Sequence, residues 1–313
     1  MRILGYGHIC DGSALLDLKG DLQMLKIALI TNFNITDKAG VAATVADRLT
    51  AQGCEILIAA FNREKLARIH KDRDVWRYLP IDSLYNEADM IIVLGGDGTI
   101  LEVARRAAHK GTPILGINLG RLGYMAELET GELDELSRLI TGDYTLEKRS
   151  MLRVELYSGK ELRSFCYALN DAVISNGSVS RMIELELSEG GTPVTTYRAD
   201  GLIVATPTGS TAYSMSAGGA LVDPRVPCMC VTPICPHSFV ARPMIFPDDA
   251  VLEIKNICAR EKMLYLTVDG RMNFELYRNQ VVKIKKSNLE TNLIRLKSYG
   301  FYRKLQQKMN DSY

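Results

Sequence analysis

The chain has 313 residues, of which 47% are apolar and 24% charged, and its formal net charge is +1. This composition is typical of a globular protein with one or two hydrophobic cores, and the near-neutral charge gives no reason to expect a nucleic-acid partner. The sequence contains no apolar run of about 18 residues and no secretory signal pattern, so we expect a cytoplasmic protein that does not associate with membranes.

The N-terminal residues 1–25 differ in character from the remainder of the chain and are predicted to be either a loosely ordered extension or an artefact of the choice of start site. A buried strand is then predicted over 26–32, an amphipathic helix over 40–52 and a second strand over 55–60. The polar segment 62–80 predicts no definite element, although Trp76 and Tyr78 are expected to pack locally.

The stretch 90–108 combines a strand, a glycine turn and a helix. Residues 90–94 are apolar and predict a buried strand, and Gly95, Gly96 and Gly98 surround Asp97 in the turn after it. Thr99 is predicted to cap the next helix, with Glu102 completing a capping box. Two interpretations of Asp97 stay open on this pattern: it binds a hydroxyl or a metal beside a phosphate at the helix N-terminus, or it only shapes the turn.

A further strand is predicted over 113–118, followed by the sequence GRLGY at 120–124 and a helix over 132–140. Short alternating strands and helices predict a Rossmann-like parallel α/β domain over 26–149, with ligands at the carboxyl ends of the strands.

After Arg149 the pattern changes to strands separated by turns. Strands are predicted over 152–156, 166–174, 183–187, 201–205, 251–254, 264–268 and 281–284. This pattern predicts a β-sandwich-like domain over 150–288. The last segment, 289–313, contains a predicted helix over 298–309 and is expected to pack back on the α/β domain.

Polar clusters interrupt the strands of this second domain. Asn170 and Asp171 lie within the predicted strand 166–174, which indicates either a strand edge or side chains directed into a ligand pocket. The sequence YRADG at 197–201 precedes a strand, and the hydroxyl-rich TPTGSTAYS at 206–214 either binds phosphates and sugars or forms a capped turn. Seven cysteines are expected to be reduced, and the spacing of Cys228, Cys230, Cys235 and His237 is a poor match to a zinc site.

The common nucleotide and hydrolase signatures are absent, since the sequence has no Walker A loop, no G-x-G-x-x-G after a strand, no G-x-S-x-G and no H-E-x-x-H. The motifs GGDGT, GRLGY, the Asn170–Asp171 pair, YRADG, TPTGSTAYS and VTPICPHS nevertheless occur in an order and spacing that resemble bacterial NAD kinases over residues 26–309. GGDGT alone is shared with lipid kinases and phosphofructokinases, whereas TPTGSTAYS and the Asn–Asp pair point to NAD kinases.

The resemblance implies transfer of the terminal phosphate of ATP, or of polyphosphate, to the adenosine ribose 2′-hydroxyl of NAD, with Mg²⁺ or another divalent cation. It implies that Asp97 is the general base, and it assigns no protein ligand to the metal. Two alternatives are a lipid kinase of the same superfamily and a non-catalytic NAD(P)-binding sensor.

The resemblance also implies roles for individual residues. On the phosphate-donor side are Gly95, Gly96, Gly98 and Thr99. On the NAD side are Asp97, Gly98, Tyr124, Asn170, Asp171, Arg181, Arg198, Asp200, Thr211, Ala212, Tyr213, Ser214, Ser216 and Arg271. The family usually has Phe where this chain has Tyr124, and often Gln where it has Arg271. The resemblance further implies a homodimer or homotetramer with sites shared between subunits, in which Asp200 is a candidate to act across the interface.

Overall fold

A computed structural model describes residues 24–67, 75–120, 123–177, 182–238, 241–259, 263–297 and 300–310, without the side chains of 308 and 309. The predicted extension up to residue 23 and the predicted site residue Arg181 lie outside this part of the chain. The described residues fall into two compact units. The first comprises residues from Met1–Thr99, Thr112–Glu147 and Ile294–Ser298, and the second comprises residues from Ile100–Gly111, Lys148–Leu293 and Tyr299–Tyr313. The domain boundaries proposed from the sequence stay predictions.

The first unit alternates strands and helices. In chain order its elements are β1 (Lys26–Ile30), α1 (Thr36–Ala51), β2 (Glu55–Ala59), α2 (Arg63–Ala67), β3 (Arg77–Leu79), α3 (Ile81–Glu87), β4 (Met90–Leu94), the start of α4 (Asp97–Ala107), β5 (Ile114–Asn118), β6 (Leu128–Glu129) and α5 (Ser137–Thr141). Short 3₁₀ helices cover Ala60–Asn62 and Thr130–Leu136.

Strands β3, β2, β1, β4 and β5 pair in that order, and every pairing is parallel. The strand order reverses between β1 and β4, so the connections leave these two neighbouring strands in opposite directions. In open parallel sheets such a point leaves a crevice at the carboxyl ends, where ligands bind. The Thr31 hydroxyl, just after β1, donates to the carbonyl of Leu94 at the end of β4 over 2.7 Å. The glycine turn containing Asp97 therefore begins at the edge of the sheet where a ligand is expected.

Strand β4 is buried along its whole length, as a strand covered on both faces must be. Its neighbour β1 and the next strand, β2, are also mainly apolar, and Ile27 of β1, Ile56 of β2 and Ile92 of β4 each have 0% exposure. Helix α1 adds its buried alanines and Leu49 to the same core. The core of the first unit thus holds β4, and with it the start of α4, in a fixed place.

The second unit is built mainly from strands. Its elements are the remainder of α4, β7 (Thr145–Ser158), β8 (Glu161–Ala168), β9 (Asp171–Ser175), β10 (Ile183–Glu189), β11 (Thr192–Ala199), β12 (Gly201–Ala205), α6 (Tyr213–Ser216), β13 (Cys228–Ile234), β14 (Met244–Pro247), β15 (Leu252–Asn256), β16 (Met263–Val268), β17 (Met272–Tyr277), β18 (Val281–Arg295) and α7 (Phe301–Asn310). The residues of β7 up to Glu147 and those of β18 from Ile294 belong to the first unit. A 3₁₀ helix covers Thr208–Thr211.

Within the described residues, β14, β13, β12, β9, β16 and β17 form one antiparallel sheet in that order. Strands β11, β10, β15 and β18 form an antiparallel series, and β7 pairs with both β8 and β18. Side chains from both sets of strands, including Leu185, Leu202 and Leu266, share one core. The predicted combination of a parallel α/β sheet with an antiparallel β region is confirmed.

Two predicted elements need correction, and one segment without a predicted element contains two. The predicted strand 166–174 is two strands, β8 and β9, because Leu169 and Asn170 form a turn between them. The predicted helix 132–140 begins as a 3₁₀ helix, in which Glu132 has non-helical backbone angles and its side chain accepts a hydrogen bond from the backbone N–H of Glu129. The uncertain segment 62–80 contains α2 and β3, and Trp76 is buried as expected. In the part of the chain that the structure describes, no helix is long and apolar enough to cross a membrane.

Candidate active site

Asp97 is the first residue of α4, three positions after the end of β4. Its two carboxylate oxygens accept hydrogen bonds from separate backbone N–H groups, at 2.9 Å from Tyr124 and 3.1 Å from Met125. The side chain is half-buried, so it also faces solvent. Because a carboxylate has about four lone-pair positions, it can still accept a proton or a hydrogen bond from a ligand. The carboxylate is therefore oriented and available.

Gly123 allows the close approach of Asp97 to this backbone. A Cβ at Gly123 would lie 2.1 Å from Oδ1, 2.7 Å from Cγ and 2.9 Å from Oδ2 of Asp97. The sequence GRLGY is a recognisable motif, but the need for glycine at its fourth position is evident only from this contact. Tyr124 comes next, and burial, followed by the charge of Asp97, raises the pKa of its hydroxyl.

The predicted capping box at Thr99 and Glu102 is wrong. The helix begins two residues earlier, at Asp97, and the N–H of Thr99 already bonds to the carbonyl of Gly96 at 2.9 Å. Glu102 instead pairs with Arg105 and Arg106, three and four residues later on the same helix, at 2.9 and 3.1 Å. The first turn of α4 therefore starts inside the glycine sequence, where Gly96 and Gly98 are exposed.

The turn at Asn170 is held by the carboxylate of Asp269. Oδ1 of Asp269 accepts the N–H groups of Asn170 and Asp171 at 2.8 and 3.1 Å, and Oδ2 accepts that of Leu169 at 2.9 Å. Asp269 itself has a positive φ of 49°, in a conformation that Asp tolerates better than most residues. The sequence-based prediction passed over this aspartate, although the Asp-Gly pair after β16 was a signal for a special turn.

Asn170 has a buried acceptor without a protein partner. Its Oδ1 is buried and receives no hydrogen bond, whereas its backbone carbonyl accepts the N–H of Thr206 at 2.8 Å. A Cβ at Gly209 would lie 2.1 Å from that carbonyl oxygen, so glycine is required there. A buried amide oxygen that lacks a donor is unusual, and it marks a position where a ligand donor would be favourable.

Asp171 lies in a buried environment, with 5% exposure. Burial, followed by the charge of Asp269, raises the pKa of its carboxyl to about 7. Burial also raises the pKa of Asp269, although the three N–H groups that bind it oppose this shift. The Asp171 carboxyl is therefore able to carry or release a proton near neutral pH.

The hydroxyls of the TPTGSTAYS sequence are used mainly within the protein. Ser210 bonds to the carbonyl of Pro207 at 2.7 Å, and Thr211 bonds to that of Thr208 at 3.1 Å. Ser214 is fully buried and pairs with the Thr232 hydroxyl at 2.9 Å. These hydroxyls stabilise the turn itself, which fits one of the two interpretations without testing the other, and the ligand contacts of the segment stay a prediction.

The remaining predicted site residues in the second unit are more exposed. Tyr213 is 46% exposed, Ala212 is half-buried, and Ser216, Asp200 and Arg271 are exposed. Arg198 is exposed and pairs with Glu184 at 2.9 Å. The structure thus describes one predicted cluster in the first unit, around Asp97 and Tyr124, and another in the second unit, around Asn170 and Asp171.

Among the described residues, no group of three or more His, Cys, Asp or Glu side chains is arranged to hold a metal. Cys228 and Cys230 are buried on one strand, and Cys235, with a positive φ of 44°, is exposed. Burial raises the pKa of Cys230 to about 12, so its thiol stays protonated.

Comparison with known proteins gives matches over both units. Residues 27–144 match the family model of the ATP-NAD kinase N-terminal domain, and residues 169–296 match that of the ATP-NAD kinase C-terminal domain. An NAD kinase of Symbiobacterium thermophilum is 41% identical over 92% of this chain and 99% of its own length. An NAD kinase of Caldanaerobacter subterraneus is 40% identical over 92% and 100%, and one of Geotalea daltonii is 35% identical over 91% and 98%.

Two solved structures are similar over most of the chain. A yeast NADH kinase complexed with NADH has a TM-score of 0.84 and 24% identity, covering 92% of this chain and 88% of its own, which is evidence of the shared fold. An NAD kinase from Archaeoglobus fulgidus in complex with ATP has a TM-score of 0.69 and 25% identity, covering 92% and 99%.

Proposed function

This chain belongs to the NAD kinase family and is a phosphotransferase, and from that premise we propose that it transfers the terminal phosphate of ATP to the adenosine ribose 2′-hydroxyl of NAD, giving NADP. The observation that carries the proposal is the oriented carboxylate of Asp97 at the start of α4. ATP as donor is supported by the Archaeoglobus fulgidus relative, which was solved in complex with ATP. Use of polyphosphate instead is left to experiment.

Asp97 acts as the general base in this proposal. The 2′-hydroxyl oxygen forms a bond to the terminal phosphorus of ATP, its proton passes to the Asp97 carboxylate, and the bond from that phosphorus to the bridging oxygen breaks to release ADP. The N–H groups of Tyr124 and Met125 occupy one lone pair on each carboxylate oxygen, which leaves others for the proton. General acid–base catalysis of this kind contributes about 10²–10⁴-fold to the rate.

The donor phosphates are assigned to the glycine turn and the first turn of α4. Free N–H groups and the helix dipole favour anions at a helix N-terminus. Gly96 and Gly98 are exposed there, so a phosphate can approach the backbone, and Gly95 and Thr99 flank the same turn. The carboxylate of Asp97 is directed to Tyr124 and Met125, which lessens its repulsion of the phosphates.

Mg²⁺, or another divalent cation, is proposed to accompany the donor phosphates. This ion keeps several waters and commonly binds through substrate phosphates with only one or two carboxylates, so a site that has one carboxylate beside the phosphate-binding turn fits it. When bound, the ion would neutralise negative charge on the transferring phosphate. Because Asp97 has the role of base, no protein ligand is assigned to the ion.

The NAD side is assigned first to the turn at Asn170. Buried Oδ1 of Asn170 lacks a donor and suits the amino group of adenine or a ribose hydroxyl, and Asp171 beside it suits a second hydroxyl. Gly98 is assigned to the close approach of the dinucleotide, and Tyr124 to its adenine side. Further contacts are proposed for Arg181, Arg198, Asp200, Thr211, Ala212, Tyr213, Ser214, Ser216 and Arg271.

We also propose a homodimer or homotetramer that shares its sites between subunits. Exposed apolar side chains in the second unit support an interface, among them Val226 (45% exposed) and Ile245 (58%). A cytoplasmic location is supported by the six described cysteines, none of which is paired in a disulfide.

The test is an assay of purified protein with NAD, ATP and Mg²⁺, following NADP formation. Asp97→Asn keeps the size of the side chain but only one of its two acceptor oxygens, and it removes the base, so the variant should bind NAD and lose at least about 10²–10⁴-fold in kcat. Asp134→Asn, at an exposed acidic residue of the same unit, is the matched control and should retain activity. Full activity of Asp97→Asn would refute the base assignment.

The same assay separates the alternatives, neither of which the relatives reported above support. Phosphorylation of diacylglycerol or sphingosine without NADP formation would favour the lipid kinase. Binding of NAD without turnover would favour the sensor.

A further inference from the structure

Asp97 is connected to an arginine of the same unit through a single residue, Met125. The N–H of Met125 donates to Oδ1 of Asp97 at 3.1 Å, and the carbonyl of Met125 accepts Nη1 of Arg295 at 3.0 Å. Arg295 is the last residue of β18 and belongs, like Asp97, to the first unit. The guanidinium therefore fixes the backbone segment that orients the Asp97 carboxylate.

Arg295 is itself held by two carboxylates. Nη1 pairs with Glu127 at 3.0 Å, and Nε pairs with Glu147 at 2.5 Å. The Arg295 side chain is 12% exposed and that of Glu127 only 1%. Desolvated, charge-assisted hydrogen bonds of this kind fix geometry far better than exposed pairs do.

Glu127 ties the same segment to the chain after β18. Its Oε1 accepts the N–H groups of Leu296 and Lys297 at 3.0 and 2.8 Å. Its own N–H donates to the carbonyl of Gly116 in β5 at 2.8 Å. The segment from Met125 to Glu127 is thus fixed on one side to the parallel sheet and on the other to the residues just after β18.

We propose that Arg295 is a positioning residue for phosphate transfer, which acts through Met125 on the orientation of the Asp97 carboxylate. The inference rests on the proposed function, because it assumes that Asp97 is the base. Arginine is needed because its planar group donates to the Met125 carbonyl and to two carboxylates at once, whereas lysine is a compact charge on a flexible chain. Loss of orientation lowers the rate of the chemical step without removing a substrate contact.

The experiment compares Arg295→Lys with Arg138→Lys by steady-state kinetics and thermal unfolding. Arg138 donates to the carbonyl of Leu296 at 2.5 Å and pairs with Glu135 and Asp143, so it anchors the same terminal segment but does not contact Met125. Arg295→Lys should lower kcat about tenfold or more, with KM for NAD and for ATP each changed less than about twofold. Arg138→Lys should retain kcat.

A double-mutant cycle separates positioning from general damage. When Asp97 is replaced by Asn, adding Arg295→Lys should lower the residual kcat less than about twofold, because residues that act as a unit are non-additive. Glu127→Gln keeps the shape of the side chain but removes its ion pair with Arg295, so it should lower kcat at least about threefold. This variant tests the proposal if Arg295→Lys does not fold.

Unchanged kcat in a folded Arg295→Lys or Glu127→Gln variant would overturn the inference. It would also be overturned if Arg295→Lys lowered kcat by the same factor in the native and in the Asp97→Asn background. The same conclusion would follow if Arg138→Lys lowered kcat as much as Arg295→Lys does. If Asp97→Asn is fully active, the base assignment itself fails. If Asp97→Asn is inactive and Arg295→Lys is not impaired, only the positioning role fails.

Discussion

Replacement of Gly123 by Ala tests whether the position of the Asp97 carboxylate limits the rate. The new Cβ would lie 2.1 Å from Oδ1 of Asp97, while ordinary van der Waals contacts begin at 3.4 Å. The carboxylate must therefore move by more than an ångström, or the Tyr124 segment must move away from it. A displacement of about 1 Å at a catalytic group can lower the rate about 10²-fold, which corresponds to about 2.7 kcal/mol of activation free energy.

The assay is NADP formation at saturating NAD and ATP, with thermal unfolding measured in parallel. Gly120→Ala is the matched control, because a Cβ there meets nothing within 4 Å and the residue precedes the same segment. We expect kcat of Gly123→Ala to fall about 10²-fold and that of Gly120→Ala to stay within about twofold of the native value. Native kcat in a folded Gly123→Ala protein would refute the argument that the Asp97 contact sets the rate.

The other two predictions concern the turn around Asn170. Asp269→Asn replaces a carboxylate that accepts three N–H groups by an amide with one acceptor oxygen. We therefore expect the free energy of unfolding to fall by about 2–3 kcal/mol and the binding of NAD to weaken. An unchanged Tm and an unchanged Kd for NAD would contradict this. The raised pKa of Asp171, about 7 in the folded chain, means that the folded state keeps a proton that the unfolded state releases above about pH 4. The contribution of Asp171 to the free energy of unfolding should therefore be largest at and below about pH 4. This contribution should fall by up to about 4 kcal/mol as the pH rises to about 7. Denaturant titrations of the native protein and of Asp171→Asn measure the difference, and parallel pH profiles for the two would refute it.

In the first unit, local patterns were sufficient for β4 and the glycine turn that follows it. The apolar run of β4 and the glycines after it lie next to one another in sequence, so their strand and turn could be predicted without knowledge of distant contacts. The partners of Asp97 could not be predicted in this way, because the N–H groups of Tyr124 and Met125 lie 27 and 28 residues later. Their approach depends on how β5 pairs with β4.

In the second unit, register and exposure limited prediction. Asp269 reaches the Asn170 turn because β16 pairs with β9 so that Val268 lies opposite Ala172, which no local pattern reveals. Strand β11 was not predicted because most of its residues are exposed, so buried and exposed residues do not alternate clearly. Among the described strands it pairs only with β10, at the edge of the sheet. The prediction of a capping box was wrong because Glu102 forms ion pairs with Arg105 and Arg106, which the local motif does not reveal.

If Asp97 is the base as proposed, the two hydrogen bonds to its carboxylate have a consequence for when activity appears during folding. Residues 90–98 contain the whole glycine turn, but the two N–H groups that orient the carboxylate come from Tyr124 and Met125, which follow β5 in the chain. Arg295 then adds a contact from a position 170 residues beyond Met125, so the last residues of β18 must also be in place. During synthesis, a nascent chain that ends within the second unit carries the complete glycine turn and yet lacks the arginine that fixes its neighbouring segment. On the proposed roles of Asp97 and Arg295, phosphate transfer requires the nearly complete polypeptide, and recovery of turnover on refolding is expected to report the end of folding rather than its beginning.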